Sequence, residues 1–569
     1  MPRTSPKVQF GLYAIELKQA STPSSTSDLQ PFSKVEDLKT GNVTVLPYAT
    51  WEPDFWLLDG RYKFLPADND IIHVGLMSLD MSDSAGDFST PIVLTIDFGQ
   101  DYTTDGVQFR FGTYSGDFCT EMDLVWKDRE GGTILSATYY PDDTQFSISQ
   151  SVVDFQQLVI TFKSTNRAYR YLRVTGLDFG ELVTFQGTDI KEASVIEELD
   201  QLSSQLRIDT LSLKLFSSDL AFNMLNPTGY YSVFAERQPL AVYETVDNMD
   251  VFIGQFFLDT WQNTSDTELE FYATDFIGLM DSMTYRGNLW EEPGTNLETV
   301  LEELLGTVNI PYELDATLYG TKIVGWLPVS TVREALQQIA FAVGASVSCA
   351  RSWAVKIYTT KIARDTTPTY TITRDQKGAE QALRMKPQVA GVEVTGHNYR
   401  ESATVRTLFD GTLAVGVHEL RFSEPYFDFV LTGTGSITES GPNYVIITVA
   451  TAGAHSLTGK EYKDITQRLR MDNPDVSGAV RPIMEIDTAT LVWWGNMTAT
   501  TQRVYNYVTQ RHLQKAKLYA PTIQVGDAVY IDTLYDSQIK AVIEKMETDL
   551  TGGMVSKIEA TGVYYDPLA

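Results

Sequence analysis

Residues 252–285 read FIGQFFLDTWQNTSDTELEFYATDFIGLMDSMTY. Phe, Tyr, Trp and Ile fill the two halves of this stretch, and the polar run Thr264-Ser265-Asp266-Thr267 divides them. Aromatic and β-branched residues suit a pleated, half-buried surface, and short polar breaks suit turns, so the stretch reads as β-structure. The same texture extends outward through residues 91–98 (PIVLTIDF), 106–111, 158–162, 169–174 and 444–449. Near the end of the chain, residues 554–561 set Ser556, Ile558 and Ala560 on one face and Lys557, Glu559 and Thr561 on the other, the alternation of a half-buried strand.

Helices are few and well marked. Residues 296–305 gather Leu297, Val300, Leu301, Leu304 and Leu305 on one side, with Thr295 and Glu298 at capping-box spacing and Gly306 as a stop. Residues 332–343 turn Val332, Leu336, Ile339 and Val343 inward, with Thr331 and Glu334 as the box and Gly344 at the position after the helix. A third helix is expected over 498–514, with Val504, Tyr505 and Val508 as its stripe. Residues 193–206 fit either a helix or an acidic strand and loop.

At 569 residues the chain exceeds what one core sustains, so roughly three to five domains are expected. Asp and Glu number 74 against 44 Lys and Arg, a net charge of −30. A dedicated nucleic-acid binder is thereby disfavoured, because cationic contacts to phosphate supply most of that affinity. No stretch approaches the roughly 18 apolar residues of a membrane span. The first residues, MPRTSPKV, carry positive charge without an apolar run behind them, so no secretory signal is expected. Cys119 and Cys349 lie far apart without CxxC spacing and read as two buried free thiols.

These signals divide the chain into blocks: 1–44 with 183–285, a β-domain interrupted by 45–182; the all-β block 45–182 itself; an α+β block at 286–375; and a β-rich block at 376–569 with a late helix.

The quoted stretch resembles the tube domain of hub proteins of phage tails. So does the pairing of LETVLEELL with IVGWLPVSTVREALQQIA from Ile323, and the closing run VGDAVYID from Val525, then residues 539–547, then DLTGG from Asp549. Block 45–182 is similar to a galactose-binding-like jelly roll, through YATWEPDFWLLDG from Tyr48 and YRYLRVTGLDFG from Tyr169. The resemblance implies a multidomain β-rich α+β fold: two tube-type β-barrel-like domains, one small α+β domain and one inserted β jelly roll. It implies a homotrimeric ring at the virion tail tip, made in the host cytoplasm. Its partners would be distal tail or tube proteins, a tape-measure protein and tail fibre or receptor-binding proteins, with DNA only in transit. The rival reading is a polysaccharide-binding tail or secreted protein acting through the jelly roll.

No constellation for catalysis stands out. His73, His397, His418, His455 and His512 fall singly, without metal-ligand spacing. The pairs Glu291-Glu292 and Glu302-Glu303 read as solvated faces, and Gly433-Thr434-Gly435 as a hairpin turn without the third glycine of a dinucleotide loop. No enzyme activity, cofactor or metal is expected. Asp80, Asp83 and Asp87 share a loop-like run that would offer oxygens to calcium but lacks the full calcium-loop pattern, so an ordinary turn competes. Trp51, Phe55, Trp56 and Tyr62 are the candidate glycan-stacking residues, with packing of the jelly-roll edge as the competing reading. If DNA passes through a ring of three chains, the bore should be acidic or neutral, with residues 268–272 and 557–561 among its lining.

Overall fold

The computed structural model describes residues 4–31, 33–40, 49–56, 75–112, 115–217, 220, 223, 225–226, 236–247, 249–476, 482–519, 522–535 and 537–566. The fold is β-rich and built from several sheets. In the stretch quoted first, Met249–Asn263 and Glu268–Thr274 pair antiparallel, with Leu258 opposite Ala273. They lie in the middle of a first sheet, whose order is Tyr171–Gln186, Thr4–Tyr13, Pro239–Val246, Met249–Asn263, Glu268–Thr274, Thr210–Phe216 and Ile190–Glu198. Its inward face buries Val8, Phe10, Leu211, Leu213, Val242 and Phe271 in one core. The residues left open between helix and strand begin as strand, because Ala193 and Val195 alternate with Ser194 and Ile196 at period two.

A second sheet is centred on Gln538–Asp549. Val555–Tyr565, His512–Tyr519 and Lys377–Met385 follow on one side. On the other side this strand changes partner along its length. Residues 538–542 pair with Ala528–Asp532, whereas residues 545–549 pair with Ile190–Glu198 of the first sheet. The two sheets are therefore one continuous surface. The expected barrel-like domains do not close: among the described residues no ladder joins Tyr171–Gln186 to Ile190–Glu198, or Tyr370–Ile372 to Lys377–Met385. The strand that would complete the first barrel spends its hydrogen bonds on the second sheet instead.

Two layers form the jelly-roll block, whose long strands Asp87–Phe111 and Gln145–Thr165 bend through bulges near Tyr102 and Thr104 and serve both layers. Phe98, Phe109, Phe155, Phe162 and Trp126 fill its core. Leu17 and Leu38, from the segment read with the first hub domain, are buried in the same core, and strand Thr22–Ser25 pairs with Asp87–Phe111. Tyr171–Gln186 links sandwich to sheet: its first half pairs with Asp87–Phe111, and its second half with Thr4–Tyr13, ending at Tyr13 opposite Gly180. Gly180 has φ 137°, and a Cβ there would lie 2.1 Å from the Leu12 carbonyl oxygen, so the crossover requires glycine.

In the α+β block, helices Leu297–Leu305 and Val332–Val343 share a core with Tyr312, Leu327 and Ile357. The second helix has both halves of its Thr331–Glu334 capping box, and Gly344 is left-handed behind it. The first has no such box; the Glu298 carboxylate instead accepts from the Gly320 N–H at 2.8 Å. Gly306 does not stop that helix, which tightens through Gly306–Val308 and ends on left-handed Asn309. The late helix is Met497–Val508, shorter than expected, because Gln514, Ala516 and Leu518 alternate inward and make His512–Tyr519 a strand.

One module was not singled out in the sequence. Gly391–Leu413 and Gly453–Asp472 form a long antiparallel pair that carries, at its far end, a small core of Leu413, Val445, Ile447, Val449 and Leu457. Gly433 opens a turn there, but no hairpin: Tyr426–Thr432 pairs with Gly453–Asp472, whereas Gly435–Gly441 pairs with Tyr444–Val449. Among the described residues no helix is long and apolar enough to cross a membrane.

Candidate functional site

The solvent-facing side of the continuous sheet is its most extended chemical feature. Registers place Glu270 beside Lys214, Lys214 beside Glu192, Glu198 beside Lys545, Lys545 beside Glu559, and Glu559 beside Lys515. Segments 268–272 and 557–561, both nominated for the lining, thus contribute to one face. Cations and anions alternate on it. Lys557 pairs with Glu547 at 2.9 Å and Lys214 with Glu268 at 3.2 Å, while Lys515–Glu559 and Lys545–Glu198 are in direct contact. Gln262 donates to Glu270 at 2.8 Å. Cross-strand pairs of opposite charge are mildly stabilising, and each occupies a lysine that would otherwise be free for a phosphate.

Where Gln538–Asp549 changes partner, the register slips by one residue and Glu544 bulges. Its carboxylate accepts from Gln201 Nε2 at 3.0 Å, Tyr507 Oη at 2.8 Å and Thr561 Oγ1 at 2.5 Å, and its carbonyl accepts from the Leu199 N–H at 2.7 Å. One side chain thereby ties together the exit of the first sheet, the late helix and the closing strand. Burial and the neighbouring Glu544 carboxylate push the Tyr507 phenol well above its usual range, which keeps it a donor.

A cavity of about 280 Å³ opens where the sandwich, the first sheet and the α+β block meet. Amide side chains converge on it: Gln9, Gln108, Gln145, Gln255 and Asn309, with Trp353 on the α+β side. At its rim Asp178 is held by Lys18 at 2.5 Å and Arg110 at 2.9 Å, and these two cations keep its carboxyl below the usual range against the opposing effect of burial.

The four candidate aromatics separate into different roles. The Arg173 guanidinium lies over the Phe55 ring, 4.7 Å from its centre, and the Trp56 indole donates to the Thr50 carbonyl at 2.8 Å. Trp51 is 88% exposed. Tyr62 lies outside the described residues. Glu52, beside Trp51, is buried against Arg173 and accepts the Tyr171 N–H at 2.9 Å, and Arg170 donates to the Pro53 carbonyl at 2.7 Å. The loop bearing Trp51 is therefore clamped to the sandwich.

In the aspartate run, Asp83 accepts the N–H groups of Ala85 at 2.7 Å and Asp87 at 3.0 Å, the geometry of a turn. Among the described residues no group of three or more His, Cys, Asp or Glu is placed to hold a metal. His397 is buried between Asp464, at 2.7 Å, and the Asp487 carbonyl, at 3.1 Å. His73 lies outside the described residues. Glu303 accepts from Tyr285 and Asn288, and Glu292 from Arg400. Both cysteines are buried and free.

Sequence reasoning missed Glu544, the amide cavity and Asn443. Asn443 is fully buried, donates to the carbonyls of Arg286 and Leu327, and accepts from the Trp326 indole at 2.6 Å, latching the small module to the α+β block. None of the three has a local motif. Only the outward glutamines on alternating strands carried a signal, and the chain separates Gln9 from Gln255.

No family model matches the chain, and no curated protein matches it. Solved structures similar to it over about two thirds of its length include tail proteins. The tail protein from Neisseria meningitidis MC58 is 9% identical and covers 67% of this chain and 93% of that one, with a TM-score of 0.40. Prophage tail protein gp18 from Listeria monocytogenes EGD-e is 10% identical over 67% of this chain and 91% of that one, with a TM-score of 0.38. A shorter segment, 29% of this chain, is similar to 94% of the lectin domain of lectinolysin complexed with Lewis B antigen, at 10% identity and a TM-score of 0.19.

Proposed function

We propose that the chain is a structural hub of a phage-type tail, and that three copies form a ring joining the tail tube to the distal tail. The observation that carries this reading is the join of Ile190–Glu198 to Gln538–Asp549, which fuses two sheets of one chain into a single surface with a core-packed back and a charge-paired front. Three chains would supply six such sheets around an axis, the number that a sixfold tube requires. The paired front faces the bore in this reading. A polyanion slides over it without being held, because Lys214, Lys515, Lys545 and Lys557 are already neutralised by glutamates and have no counterions to exchange with phosphate. The work is done by interfaces, without catalysis. Tube, tape-measure and fibre proteins are the partners, and the tail tip is the location.

The test is electron microscopy of the assembled particle, together with the native mass of the concentrated protein. Three chains per ring, with Lys545 and Lys557 lining the bore, are expected. A ring of another number, or a bore lined by a different face, would overturn the reading.

A further inference from the structure

The ladder that fuses the two sheets runs from Glu198 opposite Lys545 to Ser194 opposite Asp549, and buried carboxyl groups stand at both of its ends. At the Asp549 end, the turn that follows folds into the first core: Leu550 and Met554 are buried with Val8, Val242 and Phe271, although they come after a strand of the second sheet. The Leu550 N–H donates to the Ala193 carbonyl at 2.9 Å, and left-handed Gly553 and Met554 turn the chain back. Glu244, two residues after Val242 on the same strand, shares that inward face. It is 0% exposed, and neither carboxylate oxygen finds a well-aligned hydrogen-bond partner among the described residues. Burial and the nearby Asp549 raise its carboxyl to about 7, against the opposing pull of the Thr4 hydroxyl. Lys7, on the adjoining strand, is taken by Asp250 at 2.6 Å. The Tyr519 phenol, which faces Glu244 and Asp247, is kept protonated by burial.

At the other end, buried Glu197 stands opposite Met546, with Arg351 of the α+β block 3.9 Å away. Asp209 and Asp275, both buried, adjoin it. The Asp275 N–H donates to the Asp209 carbonyl at 3.1 Å, and their carboxylates accept the N–H groups of Glu198, at 2.8 Å, and Gly278, at 3.0 Å. Lys356 and Asp527 also face Glu197, while Glu198 is held by Lys545. The Cys349 thiol and the Tyr358 phenol, the remaining titratable neighbours, are kept protonated by burial. Burial raises all three carboxyls, and for Asp209 the charges of Asp275 and Glu197 add to it.

We propose that this join is a proton-controlled hinge, closed while the carboxyls at its ends hold protons and loosened when they ionise. An ionised carboxylate without a partner is costly to bury, so losing the proton favours the arrangement in which residues 550–554 leave the first core and Glu244 meets water. The two sheets can then shift against each other while each keeps its own core. Because the folded state raises these groups, their contribution to the join is complete at about pH 4, is lost as pH rises to about 7, and then levels off. The hinge lies within one chain and does not depend on the ring.

Hydrogen exchange of the full chain, followed by mass spectrometry from about pH 5 to 8 and corrected for intrinsic exchange, tests it. Protection of residues 194–198 and 545–554 should fall by about tenfold or more relative to strand Gln145–Thr165 of the sandwich, and the fall should level off above about pH 7. Glu244→Gln should remove most of the loss at 545–554, and Asp275→Asn should reduce the loss at 194–198. If one variant does not fold, the other and the pH profile of the parent chain still decide. Ladder protection that follows the sandwich across the whole range, or a loss that persists unchanged in every variant that folds, would overturn the proposal.

Discussion

Removing the sandwich tests how this chain is put together, and the ladder between Thr4–Tyr13 and Tyr171–Gln186 says where to cut. Its register runs from Lys7 opposite Gln186 to Tyr13 opposite Gly180. Deleting residues 14–179 and closing the gap with Asn-Gly would convert this pair into a two-residue hairpin, whose turn matches strand twist. Joining residue 44 to residue 183, the boundary suggested by composition, cuts inside the strand and removes the pairs of Gly180, Glu181 and Leu182. It also strands Leu17 and Leu38, each 2% exposed in the sandwich core. At about 1.5–3 kcal/mol per leucine, the 44/183 version holds about 3–6 kcal/mol of apolar transfer free energy in water that the hairpin version does not carry, a drive to aggregate that adds to the lost ladder. Both versions would be expressed and compared for solubility and thermal unfolding. The hairpin version should be soluble with a cooperative transition, and the 44/183 version should melt lower or aggregate. A hairpin version that is insoluble, or that melts below the other, would refute the reasoning.

Other predictions follow from single sites. Glu544→Ala should destabilise the chain by about 3 kcal/mol or more in urea unfolding, because three donors lose a charged acceptor at once, and Glu544→Gln should cost less. Burial raises the Glu244 carboxyl to about 7, above its unfolded value of roughly 4.3. The folded state therefore holds this proton more tightly, so the Glu244 contribution to stability should fall as pH rises from about 4 to 7 and then level off, and Glu244→Gln should remove that part of the melting profile. Glu547→Gln combined with Glu559→Gln would take one carboxylate partner from Lys557 and one from Lys515. The double variant should retain duplex DNA in gel shifts at low salt and release it as salt rises, whereas the parent chain should not retain it.

The sequence made the β-texture and the two firm helices legible because both rest on local periodicity. Leu297, Val300, Leu301, Leu304 and Leu305 are all buried as their spacing requires, and residues 444–449 form a strand with those same bounds. Where local signals competed, the tertiary partner decided. Residues 512–514 left the expected helix because strands wait on both sides of them. Glu298 left its capping box for the Gly320 N–H. The open sheets were not legible at all, since barrel closure depends on which strand Ile190–Glu198 meets, and its partner lies some 350 positions later. Glu544 was hidden for the same reason, a bulge being a property of two strands in register. The candidate aromatics were legible as a group, but only clamping of the loop by Arg170 and Arg173 distinguishes the exposed Trp51 from the occupied Phe55 and Trp56.

Both added modules enter the scaffold in the same manner. The sandwich leaves the first sheet after Tyr13 and returns at Gly180, and the small module sits at the far end of Gly391–Leu413 and Gly453–Asp472. In each case an antiparallel pair fixes its register before the module begins, so a module can be carried without disturbing the sheet behind it. The seams on the other side are polar. Lys18 and Arg110 meet Asp178 beside the first sheet, while Arg286 meets Glu419 and Glu439, Arg400 meets Glu292, and Asn443 is buried between backbone carbonyls. Polar seams of this kind bring little hydrophobic stabilisation of their own, so each module must be held up by its own core, and each has one.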